Sequence, residues 1–185
     1  MKKLLIPFLS LFLCGCSTSQ IFGTPAPDFD TAYSMSADIT FGELSAVADI
    51  TRNGRNDWSF AFTEPEQLSG MTFTLCDGNM TAALGELNVS MEANDVYTLI
   101  PDVIAHSIDS LTELAPEQLT RRDDGTITLN TDVNGKKVVL TSTDSGELMS
   151  LKSPFYKISI DFSEHSPIDK LETIETYDGG SIEII

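Results

Sequence analysis

The chain has 185 residues and a formal net charge of −17, from 28 acidic and 11 basic side chains. That length suits one domain with short tails. The charge excludes nucleic acid as a ligand, which needs a basic footprint, and argues against docking of the protein body on anionic lipid headgroups, which attract basic segments.

Met1-Lys2-Lys3 opens the chain, and an apolar run from Leu4 to Leu13 follows, broken by Pro7 and Ser10. A positive start and an apolar stretch of about ten residues are the pattern of an export signal. Crossing a bilayer takes about 20 apolar residues, so this run is too short to span one. Leu13-Cys14-Gly15-Cys16 resembles the lipobox of bacterial lipoproteins: aliphatic, variable, small, cysteine. The resemblance implies that residues 1–15 are a signal peptide cleaved after Gly15, and that Cys16 carries diacylglycerol on its sulfur. Cys14 is the alternative acceptor, but Leu13 is too large for the small position before it. Each buried methylene contributes about 0.8 kcal/mol, so two or more acyl chains hold a protein on a membrane stably. The expectation is an exported protein, lipid-anchored to the cell membrane (or to an outer membrane where one exists) and facing its extracytoplasmic side. The signal carries two lysines and no acid, so the remaining chain is more acidic still. The lipid is therefore expected to be its membrane contact.

Residues 16–32 read as a lipidated flexible tether, rich in Ser, Thr, Gly and Pro with little to bury. From Tyr33 short strands alternate with turn signals. Met35–Phe41 and Leu44–Thr51 are the first two strands, and Arg52-Asn53-Gly54-Arg55 places an Asn-Gly turn after them. Trp58, Phe60 and Phe62 then share one face of a strand, as do Met71, Phe73 and Leu75 of the next. Met80–Leu84 and Leu87–Met91 complete the first half. Between Pro101 and Leu114 the period changes, and Ile104, Ile108 and Leu111 form one helical face. Pro101 fits the first turn of that helix and Asp102 suits its N-terminus. Strands resume at Thr126–Asn130. A second Asn-Gly turn at Asn134-Gly135 leads into Lys137–Thr143, Leu148–Leu151 and an alternating Tyr156–Phe162, with a polar stretch from Ser163 ending the core. The domain spans 33–168, and 169–185 is an acidic tail or an edge strand.

This order predicts an α+β fold: a curled, mainly antiparallel half-barrel sheet of about ten strands packed around one central amphipathic helix. The layout resembles the LolA-like and mycobacterial LppX/LprG-like lipoproteins. The resemblance is carried by Ser36-Ala37-Asp38-Ile39-Thr40, by Glu64-Pro65-Glu66-Gln67-Leu68-Ser69-Gly70-Met71-Thr72-Phe73, and by Asp144–Leu151 ahead of the last strand. It implies a half-open β-barrel over a helix, with an apolar cavity that in some members holds a lipid acyl chain.

No catalytic residue is assigned, and the chain reads as non-enzymatic. Nucleophile-elbow, Walker and dinucleotide patterns do not occur, and no cofactor is implied. His106 and His165 lack metal-ligand spacing, and His106 reads as a partly buried polar residue of the helix. The acidic, glycine-rich stretches at Asp123, Asp132 and Asp144 fit turns better than calcium loops. Cys76 reads as a small buried hydrophobe. The candidate wall of a ligand cavity is Trp58, Phe60, Phe62, Phe73, Ile104, Ile108 and Leu111. Two functions fit: a binder of a lipid or other hydrophobic, amphiphilic ligand between sheet and helix, or a packed structural or protein-interaction module of the cell envelope with no cavity. Which protein would partner such a module is not identified by the sequence.

Overall fold

The computed structural model describes residues 28–92, 100–113 and 119–168. The signal segment, Cys16 and the 169–185 tail lie outside the described residues.

Six strands come first: β1 (Tyr33–Phe41), β2 (Leu44–Gly54), β3 (Asp57–Glu64), β4 (Met71–Cys76), β5 (Asn79–Leu84) and β6 (Leu87–Glu92). Helix α1 (Ile100–Asp109) continues into a 3-10 turn at Ser110–Glu113. Five strands complete the sheet: β7 (Thr120–Arg121), β8 (Thr126–Val133), β9 (Lys136–Thr143), β10 (Leu148–Ser153) and β11 (Ile158–Pro167). The described strands form one 11-stranded sheet in the order β6-β5-β4-β3-β2-β1-β11-β10-β9-β8-β7. It is an open, curled half-barrel, mostly antiparallel, wrapped around the helix. Two meanders are thus joined by the pairing of β1 with β11.

Strand alternation builds the core. Ile39, Ile160, Leu151, Leu140 and Leu129 come from five successive strands and lie opposite one another in register. All five are buried. A row of this kind exposes its apolar side chains on one face only, so a one-residue slip would turn all of them to solvent. On the other wing Met35, Ile50, Phe60 and Phe73 form the equivalent row. Ile104, Ile108 and Leu111 of the helix bury against this concave face. The helix is more enclosed than one apolar stripe implies. From Pro101 to Asp109 only His106 is exposed, and Asp102 and Asp109 are buried with the rest.

Several details differ from the sequence reading. Asn53-Gly54 is not the turn: β2 runs through Gly54, and the reversal falls at Arg55-Asn56, where Asn56 has φ of 57°. A bulge between Arg52 and Gly54 sets this register and places Arg52 opposite Trp58 on the inner face. Cys76 is exposed rather than buried, because alternation in β4 turns Leu75 inward and Cys76 outward. His106 is exposed rather than partly buried. The last strand begins at Ile158, after a turn over 154–157, and continues through the polar stretch to Pro167. That extension pairs with the start of β1, and the His165 ring packs on Tyr33 at 4.6 Å. The packed domain also begins by Phe29 rather than Tyr33, since Phe29 and Ala32 are buried in the core.

Candidate ligand cavity

The register gives the half-barrel two unlike ends. At one end lie the start of β1, the end of β11 and the C-terminus of the helix. Here Arg52 is fully buried and meets Asp109 through Nε at 3.2 Å and a terminal nitrogen at 3.0 Å. It also donates to the Thr31 carbonyl at 2.8 Å and to Asp30 at 3.0 Å. The second oxygen of Asp109 accepts from the Asn56 backbone N–H and from Trp58 Nε1, each at 2.9 Å. The Arg52 guanidinium stands 5.6 Å from the centre of the Trp58 ring. A carboxylate at a helix C-terminus opposes the helix dipole, and the guanidinium and two N–H donors compensate it. This cluster ties the helix, β2, β3 and the incoming chain together. Burial pushes the neighbouring Tyr33 phenol well above its ordinary range, and burial also lowers the His165 imidazole.

At the other end lie the helix N-terminus and the tips of the hairpins. A cavity of about 520 Å³ opens there. Ile39, Ala46, Phe62 and Phe73 form its sheet wall. Leu68 and Met71 come from the loop between β3 and β4 and its exit, with Pro65 and Gln67 beside them. Ile100 and Pro101 of the helix close one side, while Phe41 and Leu44 stand at the β1–β2 tip. The loop is held in place by backbone bonds from Leu68 and Ser69 N–H to the Pro65 carbonyl and from Gly70 N–H to the Phe62 carbonyl. The lining is almost entirely apolar, and its size falls within the range of about 300–1,000 Å³ typical of small-molecule sites. Asp102 lies just inside the helix from this cavity, and burial raises its carboxyl pKa against a smaller opposing pull from His106.

Of the seven wall residues read from the sequence, Phe62 and Phe73 line this cavity. Trp58, Phe60, Ile104, Ile108 and Leu111 are buried in the sheet–helix interface and are not part of the lining. Sequence reading does not single out Ile39, Phe41, Leu44, Leu68, Met71 or Ile100 as cavity wall. The signal for some of them is parity: Ile39 and Phe41 continue the inward row of β1, and Ile100 precedes Ile104 by one helical turn. No helix among the described residues is long and apolar enough to cross a membrane. No group of three or more His, Cys, Asp or Glu among the described residues is placed to hold a metal. The acidic glycine-rich stretches are turns: Asp124 accepts from the Thr126 N–H and hydroxyl, and Asp132 from the Gly135 N–H.

No family model matches the chain, and no curated protein matches it. Among solved structures, an uncharacterized conserved protein from Thermus thermophilus aligns with a TM-score of 0.50 at 12% identity, covering 77% of this chain and 82% of that one. A LolA superfamily protein from Nitrosomonas europaea gives 0.44 at 8% identity, over 78% and 89% of the two chains. A putative outer membrane lipoprotein-sorting protein domain from Vibrio parahaemolyticus gives 0.40 at 10% identity, over 80% and 89%. At such identities the likeness is one of fold.

Proposed function

We propose that this chain is a membrane-anchored, non-enzymatic envelope lipoprotein that holds an apolar or amphiphilic ligand in the cavity beneath the N-terminal end of its helix. The observation that carries the reading is the cavity itself. Its walls offer apolar burial at about 25 cal/mol per Å² removed from water. The lipobox at Leu13–Cys16 supports the anchor.

The test is mass spectrometry of lipid co-purifying with the full chain, together with displacement of a fluorescent fatty acid. Ala46→Trp fills the cavity from the sheet side and is expected to reduce uptake at least about tenfold while leaving the fold intact. Equal uptake by the wild type and the filled variant would remove the cavity from the account. For the anchor, Cys16→Ala should move the protein from the membrane fraction to the soluble one, and retention in the membrane would contradict lipidation at Cys16.

A second reading is a packed envelope module with no ligand. It is favoured by the filled interface around Trp58, Phe60 and Ile108, each fully buried. Absence of both co-purified lipid and fatty-acid uptake would select it.

A further inference from the structure

Five chain reversals stand at the cavity end of the sheet, and the charges of the outer four are sorted. In spatial order along the sheet they are the β5–β6 tip, the β3–β4 loop, the β1–β2 tip, the β10–β11 turn and the β8–β9 tip. The first two carry exposed Glu86 and Glu66; the last two carry Lys157 and Lys136. Lys137 and Lys152 lie one residue back from those basic tips. All four described lysines are therefore at one side of one end of a chain whose net charge is −17. None of them forms an ion pair with a described residue; the ion pairs among the described residues all use arginine. Asp132, the one acid within the β8–β9 hairpin, lies opposite Lys137 in register and accepts from the Gly135 N–H.

The same rim carries most of the exposed apolar surface. Phe41, Leu44, Leu84, Leu87 and Phe155 are five of the eight large apolar side chains that stand exposed among the described residues. Phe155 is 61% exposed on a turn that is held firmly. The Lys157 N–H donates to the Pro154 carbonyl, the Tyr156 hydroxyl donates to the Val133 carbonyl, and Lys136 Nζ stands 4.2 Å from the centre of the Phe155 ring. Exposed apolar side chains concentrated at one end of a sheet are candidates for an interaction surface.

The rim is also staggered. Through the pairings across β2, β3 and β4, the β5–β6 tip stops near the row of Ala37, short of Phe41. The β8–β9 tip runs past the row that Phe41 shares with Ile158 and Ser153. At the two outermost tips, then, the acidic β5–β6 reversal is recessed and the basic β8–β9 reversal advanced.

We infer that the partner for this rim is a second copy of the chain, joined about a two-fold axis that passes through the β1–β2 tip. That rotation sets the acidic tips of each copy against the basic tips of the other, Glu86 on the recessed β5–β6 tip facing Lys136 on the advanced β8–β9 tip, and Glu66 facing Lys157. An isologous contact requires this kind of self-complementary patch. Phe41 and Leu44 of the two copies meet at the centre, and the two cavities open into one enclosed space. Glu43 is the acid of the central tip; Lys157, whose carbonyl accepts the Gly42 N–H at 3.0 Å, sits beside it. An anionic bilayer fits less well, because it would attract one side of the rim and repel the other.

Sedimentation equilibrium of the detergent-extracted full chain, at matched density, reads the association. The wild type should be a dimer. Glu66→Lys with Glu86→Lys makes both sides basic, and Lys136→Glu with Lys157→Glu makes both acidic; each pair should weaken association at least about tenfold. Mixing the two double variants should restore a dimer, and so should all four changes in one chain. In membranes, Glu43→Cys in a Cys76→Ser background should cross-link copies on oxidation. A monomeric wild type, or double variants that fail to pair when mixed, overturns the inference. So does a monomer that binds anionic vesicles more tightly when the acidic side is reversed and less tightly when the basic side is.

Discussion

The two ends of the half-barrel use their side chains differently. The end at Arg52 and Asp109 buries charge, surrounds both charged groups with hydrogen-bond partners, and locks helix to sheet. The end at Phe41 and Leu44 leaves an open space and exposes apolar and charged tips. A fold of this size can leave one end unfilled when the other is tied down. Removing one partner of a buried ion pair leaves the other charge stranded, so the tied end cannot loosen gradually.

That contrast predicts a ranking of effects. Arg52→Met should be the most damaging, destabilising the domain by about 3–5 kcal/mol in urea denaturation because Asp109 is left buried and unpaired. Adding Asp109→Leu should recover much of the loss, since an apolar pair can replace a buried ion pair at little cost. If the single change costs less than about 1 kcal/mol, the tied end is no more important than a surface contact. The tips at the open end should be milder. Gly135→Ala should cost about 1 kcal/mol, because φ of 72° suits glycine and strains alanine. Gly54→Ala, at the tied end but in extended backbone with open space around its Cβ position, should lie within about 0.5 kcal/mol of the wild type. Equal losses at the two glycines would mean that the open end has no special backbone requirement.

These two glycines also show how far the sequence could be read. Asn134-Gly135 and Asn53-Gly54 are the same dipeptide in similar settings, and only the first is the turn, with both residues at positive φ. At the second, the need to place Arg52 opposite Trp58 and the Asn56 N–H against Asp109 overrode the local preference. Alternation identified the rows of Trp58, Phe60, Phe62 and of Met71, Phe73, Leu75, and helical spacing identified Ile104, Ile108 and Leu111. The same rule, applied one residue further along β2, puts Arg52 on the inward parity of Ala48 and Ile50, which signals a buried partner. It also turns Cys76 outward. The cavity is harder to read. A long-range register decides which ends of which strands share a level, and net charge conceals where individual lysines gather.

The pairing of β1 with β11 has a consequence in time as well as in space. It joins the first of the described strands to the last, and the two meanders on either side are built from neighbouring hairpins that form locally. Each meander alone presents a bare apolar face and an unpaired edge. A chain delivered from its N-terminus must therefore wait for its final strand before the core can close, and interrupted delivery leaves a half-sheet that invites aggregation.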